Sequence, residues 1–219
     1  MSFLIPHSIY FFILAITKLI LMTTKAKRTT QYIIETVAPI FNKHGYVGTS
    51  MSHLTEATGL TKGAIYGNFE NKEALALEAF RYNRNLLLNK IDDLLNVDGT
   101  ALDKIFGFIS FYRQYDVFTM QMGGCPILNI GVDSQHNNTL LAAANKETVK
   151  EIEGKLALVI ENGIKAHELK IPVPPLQFAK QLYTILQGAV AMATITRDRK
   201  YLVNTMAYLE HLVKSEIKK

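Results

Sequence analysis

Apolar residues recur every three or four positions along most of the chain, and this spacing constrains the fold more than any other feature. Such spacing gathers the apolar side chains on one face of a helix, whereas a half-buried strand needs strict alternation of apolar and polar residues. No segment combines that alternation with hairpin turns, and there is no internal repeat or low-complexity tract. We therefore predict an all-α fold.

Glycines, prolines and polar clusters divide this pattern into separate helices. The predicted helices cover residues 30–44, 50–58, 62–68, 71–95, a stretch around 102–112, and residues 138–167, 176–196 and 198–217. Gly45 is expected to end the first helix, and Pro39 to weaken or kink it. Ser50 or Thr49 is the expected cap of the second helix, Gly59 supplies the turn after it, and Thr61 caps the third.

The apolar segment over residues 3–22 is long enough to resemble a membrane span or the core of a signal peptide. Pro6, His7 and Lys18 are unfavourable in a hydrocarbon core. No cation precedes the segment and no small-x-small cleavage site follows it. We favour translation from Met22, with residues 1–21 upstream of the natural start. Two alternatives remain, namely a cleaved signal peptide and an N-terminal membrane anchor. The anchor would make this a membrane-associated helical protein.

Composition and motifs argue against several classes of function. With 219 residues, 48% of them hydrophobic, the chain can bury a substantial core. The single cysteine, Cys125, excludes an internal disulfide and a cysteine-rich zinc site, and it fits a reducing cytoplasm. HExxH, glycine-rich phosphate-loop and nucleophile-elbow motifs are missing from the sequence. We expect no catalytic residues, no metal and no cofactor.

The most informative stretch is residues 45–75, which predicts two short helices joined by a glycine-containing turn. This is the helix-turn-helix arrangement, in which the second helix enters the major groove of DNA. Gly63, Ala64 and Gly67 leave that helix nearly bare, which permits a close approach to the bases. The stretch between Met22 and Asn68 is also basic, as expected for a surface that faces phosphates.

The same stretch resembles the DNA-binding domain of TetR-family (tetracycline-repressor-like) transcriptional regulators. The shared pattern is a glycine before Thr49 and Ser50, then Leu54, Gly59, Leu60, the run Thr61 to Tyr66, Phe69, Asn71, Lys72, Glu73 and Leu75. It covers residues 28–80 closely, and beyond them only the helical layout matches. His53 and Thr55 depart from it, since the family usually has an acidic residue and alanine there.

The resemblance implies a helix-turn-helix DNA-binding domain over residues 22–73 and a helical ligand-binding and dimerisation domain over residues 74–219. The residues expected on or beside the recognition helix are Thr61, Lys62, Gly63, Ala64, Tyr66, Gly67 and Asn68. Those expected to touch phosphates are Thr49, Ser50, Tyr66 and Lys72, while Lys25, Lys27 and Arg28 would form an arm into the minor groove. Phe69 is expected in the core.

In the family, the last two helices of each subunit form a four-helix bundle across a two-fold axis. Apolar residues cover nearly all sides of residues 176–196, which suits burial against the chain itself and against a partner. The candidate homodimer contacts are Leu182, Tyr183, Leu186, Ala189, Val190, Ala193, Met206 and Leu209. A purely intrachain core is the alternative. A dimer predicts an inverted-repeat operator in double-stranded DNA.

Aromatic and methionine residues ahead of Gly123 predict an apolar pocket for a small-molecule effector. The candidate effector-binding residues are Phe108, Tyr112, Cys125, Asn129 and His136, with ordinary core packing as the alternative for each. Cys125 near a helix N-terminus could sense electrophiles, but the lack of flanking cations favours a buried, inert thiol. The chain is thus predicted to be a cytoplasmic regulator, in the family's commoner mode a repressor released by its effector, with no stable membrane association.

Overall fold

A computed structural model describes the backbone of residues 7–217 and the side chains of residues 26–215 and 217. Its helices are α1 His7–Gly48, α2 Met51–Thr58, α3 Lys62–Tyr66, α4 Lys72–Leu95, α5 Ala101–Tyr112, α6 Tyr115–Thr119, α7 Pro126–Ser134, α8 Thr139–Lys165, α9 Pro175–Thr196 and α10 Lys200–Leu212. A 3₁₀ turn covers Met120–Met122, and a π-helical turn covers Val213–Ile217. Since every regular element within residues 7–217 is helical, the all-α prediction is confirmed.

Gly45 interrupts α1, as its sequence position predicts. Its φ of 73° and ψ of 173° are non-helical, and a residue with a side chain is strained at such a positive φ. A Cβ atom at this position would also lie 2.3 Å from Oδ1 of Asp133 in α7. Pro39, by contrast, lies within α1 without breaking it.

The caps of α2 and α3 confirm the turn between them. The side chain of Ser50 accepts a hydrogen bond from the N–H of His53, and Nδ1 of His53 accepts one from the N–H of Ser50. His53 therefore completes a capping box where the family usually has an acidic residue. Gly59 ends α2 at a φ of 67°, and Thr61 caps α3 by accepting from the N–H of Ala64.

Two apolar clusters form the core. One joins α1, α2 and α3 to the start of α4, and its fully buried members include Ile33, Val37, Leu54, Ile65 and Ala79. The other lies among the end of α4, α5, α8, α9 and α10. Helix α4 contributes to both, with Leu75 to Phe80 in the first cluster and Leu87 to Leu95 in the second. It is therefore a rigid link between the helix-turn-helix and the rest of the chain.

A polar junction provides a second link, between the end of α1 and the segment that leads into α7. The Asn42 side-chain amide donates to the carbonyls of Met122 and Gly124, and the Asn129 amide donates to the carbonyl of Asn42. Gly123 has a φ of 77°, and a Cβ there would lie 2.4 Å from the carbonyl oxygen of Pro39. Only glycine allows the backbones to approach this closely.

Among the residues that the structure describes in full, no helix is both long and apolar enough to cross a membrane. The segment over residues 3–22 lies outside those residues, and so do the expected start at Met22 and the anchor and signal alternatives.

Candidate nucleic-acid interface and effector cavity

Helix α3 turns one face into the core and presents the other to solvent. Ile65 is fully buried, while Thr61, Lys62, Gly63, Ala64 and Gly67 are exposed. Tyr66 keeps 37% of its surface exposed, and Nζ of Lys62 lies 5.8 Å from the centroid of its ring. The outer face of α3 is therefore a flat surface of small residues that carries one cation and one phenol.

Some of the predicted phosphate and arm residues are exposed to solvent. Ser50 is exposed at the start of α2, and Lys27 and Arg28 are exposed on α1. The side chain of Lys25 lies outside the described residues. Phe69 is only 7% exposed and packs in the first apolar cluster, as predicted.

Two predicted DNA-contact residues have their polar groups engaged within the chain. The Thr49 side chain is fully buried, and its hydroxyl donates to the carbonyl of Gly45 at 2.7 Å. The Asn68 side-chain oxygen accepts from the hydroxyl of Thr30 at 2.8 Å, while its nitrogen donates to the carbonyl of Ala64. Thr49 therefore stabilises the α1–α2 turn, and Asn68 holds α3 against α1.

Lys72 also serves the structure. Its ammonium donates to the carbonyl of Tyr46 at 2.6 Å and lies 4.5 Å from the centroid of the Tyr46 ring. Burial lowers the pKa of Lys72, although the nearby Asp133 carboxylate opposes this shift. Lys72 thus fastens the start of α4 to the end of α1, while its side chain stays partly exposed.

The helical domain contains a cavity of about 260 Å³ between α6, the Gly124–Cys125 segment and the α9–α10 corner. Of the five candidate effector residues, Cys125 lines it. Phe108 and Tyr112 are fully buried in the second apolar cluster, Asn129 binds the end of α1, and His136 is exposed beyond α7. Sequence proximity to the glycine break therefore did not identify which side chains face the cavity.

Cys125 is the N-cap of α7 and is buried. Its sulfur shares a 3.2 Å hydrogen bond with the Tyr115 hydroxyl and accepts a longer one from the N–H of Leu128. Burial raises the pKa of the thiol, and the hydrogen bonds from Tyr115 and the backbone only partly offset this effect. The thiol is protonated at neutral pH, which favours the inert interpretation over a reactive sensor.

The candidate dimer contacts lie mainly inside the chain. Seven of the eight are at most 5% exposed, and they are Leu182, Tyr183, Leu186, Ala189, Val190, Met206 and Leu209. Ala193 is partly buried. These side chains fill the chain's own core, which the alternative interpretation expected. The apolar residues that α9 and α10 expose are others, namely Leu176, Met192, Ile195, Tyr201, Val203 and Tyr208.

The most useful residues that the sequence did not indicate are in the junction between α1 and α7. Asp133 accepts a hydrogen bond from the backbone N–H of Tyr46, 87 positions away in the chain. Asn42 adds to the same junction by donating to the carbonyls of Met122 and Gly124. Their only sequence signal is a polar residue on an otherwise apolar helix face, which is too common to be diagnostic.

In a comparison with known proteins, both halves of the chain match families of tetracycline-repressor-like regulators. Residues 33–79 match the family described as bacterial regulatory proteins, tetR family, and residues 101–209 match the tetracyclin repressor-like C-terminal domain. A TetR-family transcriptional regulator from Cytophaga hutchinsonii is 35% identical, with a TM-score of 0.82 over 89% of this chain and 98% of that one.

Two further relatives are more distant. The transcriptional repressor NemR of Escherichia coli (strain K12) is 24% identical over 84% of this chain and 94% of its own length. The regulator FadR of Bacillus subtilis, solved in complex with stearoyl-CoA, is 18% identical and shares the fold, with a TM-score of 0.69 over 84% of this chain and 97% of that one. The protein described here therefore belongs to the tetR family of bacterial regulators and is a helix-turn-helix transcriptional regulator.

Proposed function

We propose that this protein is a homodimeric repressor that binds an inverted-repeat operator through α3 and is released by a small molecule bound in the helical domain. The observation that carries the DNA-binding half is the exposed face of α3, where Lys62 and Tyr66 stand beside the bare surface of Gly63, Ala64 and Gly67. The protein would act in the cytoplasm, because its DNA target is located in the cytoplasm.

On DNA, each exposed residue of this face has a distinct role. The ammonium of Lys62 would donate to base edges in the major groove, and the methyl groups of Thr61 and Ala64 would meet thymine. Ser50 and Tyr66 would donate to phosphates and so set the register of α3. Lys27 and Arg28 would add contacts that depend on salt rather than on sequence.

The exposed apolar residues of α9 and α10 form the surface proposed to pair with a second copy. Ile195 is 74% exposed and Tyr208 is 58% exposed, although both are apolar or aromatic side chains on long helices. Two copies of α9 and α10 would bury these residues in a four-helix bundle. A two-fold axis through that bundle relates the two copies of α3, so the operator must be an inverted repeat.

Effector binding is proposed at the cavity that Cys125 lines. Cys125 immediately precedes α7, and α7 holds the end of α1 through Asn129 and Asp133. A ligand that displaces the start of α7 would therefore shift the DNA-binding unit, proposed as residues 22–73, relative to residues 74–219. Coupling of this kind requires that the ligand favour one of the two arrangements.

The repressor assignment has support from the relatives. NemR is named a repressor, and FadR was solved with a bound small molecule. Neither observation identifies the effector of the present chain.

A binding selection from random duplex DNA tests the proposal. The full chain is compared at matched salt with Tyr66→Ala and with Leu158→Ala, which truncates an exposed residue on α8 far from α3. We expect the parent and Leu158→Ala to enrich the same inverted repeat, and Tyr66→Ala to enrich it poorly. A folded parent that enriches no sequence, or only a single half-site, would contradict the proposal.

A further inference from the structure

Three buried polar atoms lie together in the core of the helical domain. The hydroxyls of Tyr112 and Tyr183 and the side-chain nitrogen of Gln187 make no hydrogen bond of ordinary geometry within the chain. They lie within weak hydrogen-bonding reach of one another, which shifts the pKa of both tyrosines, and the side-chain oxygen of Gln187 accepts from the Cys125 thiol. These donors are therefore satisfied only weakly, and by one another.

These groups act as donors at any physiological pH. Burial raises the pKa of Tyr112 and of Tyr183 far above the ordinary tyrosine value, so both hydroxyls keep their protons. The Gln187 nitrogen carries two N–H donors. The cluster is therefore a set of protonated, buried donors, and none of the three groups lines the cavity itself.

Cys125 separates this cluster from the effector cavity. Its side chain lines the cavity, and its sulfur lies 3.8 Å from the side-chain oxygen of Gln187. On the cavity side, Tyr115 is the neighbouring wall residue and shares its hydroxyl with the same sulfur. Tyr115 and Cys125 thus close the inner end of the cavity and separate it from the buried donors.

The outer end of the cavity is cationic. Arg199 is neutralised, because its Nε lies 3.0 Å from Oδ2 of Asp116. Arg197 also lines the cavity, and among the residues described it makes no ion pair. Its φ of 55° is unusual for a residue with a side chain, and the left-handed conformation places it at the corner between α9 and α10. Between the two ends, Val190, Ala193 and Leu202 provide an apolar wall.

We infer that this cavity binds a small organic carboxylate, with the anion on Arg197 and the apolar body against Val190 and Leu202. The inference rests on the proposed effector function and adds the chemical class of the ligand.

The charges and the volume of the cavity both narrow the chemical class of the ligand. The single carboxylate in the cavity wall, Asp116, is paired with Arg199, so nothing in the wall favours an organic cation. The volume of about 260 Å³ is slightly below the ~300–1,000 Å³ of ordinary ligand sites. A monocyclic aromatic acid or a short-chain acid fits this space, whereas a long acyl chain of the kind that FadR holds does not.

Calorimetry on the full chain without DNA tests the charge requirement. The probes are 4-acetylbenzoate, 4-acetylbenzamide and 4-acetylbenzylamine, which share one ring and one ketone acceptor but differ in charge, with benzoate as the acid that lacks the ketone. We expect 4-acetylbenzoate and benzoate both to bind, the former about tenfold or more tightly than the amide, and the amine not to bind. Equal binding of acid, amide and amine, or no binding of either acid, would overturn the inference.

Two variants test the residues. Arg197→Gln is expected to weaken 4-acetylbenzoate binding about tenfold or more, whereas Arg81→Gln, which removes an exposed arginine on α4, should leave it unchanged. Tyr183→Phe removes a hydroxyl that lies behind Cys125 and does not line the cavity, so it should leave binding unchanged. Unchanged binding in Arg197→Gln, or an equally large loss in Tyr183→Phe, would overturn the assignment.

Operator binding is measured in a separate experiment. A failure of the inferred ligand class can then be distinguished from a failure of the proposed repressor function. If the acid binds but does not release the selected operator, the site stands and its effector role fails. If the protein binds its operator but no acid binds to the protein, the inferred ligand class fails and the DNA-binding function stands.

Discussion

The backbone N–H of Tyr46 donates a 2.7 Å hydrogen bond to Oδ2 of Asp133, and this contact joins the helix-turn-helix to α7. Tyr46 lies just beyond the interruption of α1 at Gly45, and its carbonyl oxygen accepts from Lys72. One short segment is therefore held from both sides, by α4 and by α7. Asn42 makes a second connection, because its side-chain amide donates to the carbonyl of Gly124, which lines the proposed effector cavity.

Replacing Asp133 with alanine should weaken this connection. The Tyr46 N–H would lose its charged acceptor, so we expect the free energy of unfolding to fall by about 1.5–3 kcal/mol. Asp133→Asn keeps an acceptor oxygen and should lose less. Urea unfolding of the three proteins measures the difference. Equal losses for alanine and asparagine would show that the hydrogen bond to Tyr46 does not carry the effect.

Gly45→Ala should destabilise the protein for two reasons. The φ of 73° and ψ of 173° lie in a region essentially restricted to glycine, which costs a residue with a side chain about 1–3 kcal/mol, and the new Cβ would clash with Oδ1 of Asp133. Gly48→Ala is the matched control, because its Cβ would meet nothing closer than 3.8 Å and its φ is not positive. Urea unfolding should show a loss of at least about 1–2 kcal/mol for the first variant and little change for the second. Similar values would refute the steric argument.

Two lysine variants should distinguish contacts to base edges from contacts to phosphates. Lys62→Ala is expected to cost about 1–3 kcal/mol on the selected operator and to relax specificity at one base position. Lys27→Ala should weaken binding uniformly across sequences and reduce the salt slope by about 1. Gel-shift titrations at several salt concentrations, on the operator and on single-base variants of it, measure both. A uniform loss from Lys62→Ala would reassign that residue to the phosphates.

The Cys125 thiol should be slow to react and should make stability depend on pH. Because burial raises its pKa, the folded protein binds the thiol proton more tightly than the unfolded chain, whose cysteine titrates near ~8.5. The free energy of unfolding should therefore be steady below about pH 8 and fall as the pH rises above ~8.5.

Unfolding at pH 7, 8, 9 and 9.5 measures this slope, with Cys125→Ala as the control that lacks the thiol and should show a smaller decline. Alkylation by iodoacetamide at pH 8 should be much slower in the folded protein than in urea. Rapid alkylation of the folded protein would instead support a reactive cysteine.

A charge on the exposed face of α9 should disrupt the proposed dimer. Ile195→Glu places a carboxylate at a position that is 74% exposed in one chain and would be buried between two. Val132→Glu is the control, since Val132 is 70% exposed on α7, outside the proposed bundle. Sedimentation should give a dimer for the parent and for Val132→Glu and a monomer for Ile195→Glu. A dimeric Ile195→Glu variant would require a different interface.

The sequence by itself determined the helices and the helix-turn-helix, because their signals are local. Ser50, Gly59 and Thr61 act on backbone groups within four positions of themselves, and the structure places each in its predicted role. Apolar spacing likewise placed α4 and α9 within a residue or two of their observed bounds. The bare surface of α3 could be predicted for the same reason, since it depends on small residues in one short helix.

Only the tertiary structure decided which side chains of each face meet solvent, a cavity or another helix. Asn68 and Lys72 have polar groups suited to DNA, but Thr30 and Tyr46 of α1, which lie 38 and 26 positions away in the chain, engage them. On α9, apolar residues surround the helix, so local periodicity cannot distinguish the face that α8 and α10 cover from the face left exposed. Such contacts join residues far apart in the chain, and their free energy depends on how whole helices pack rather than on spacing along any one of them.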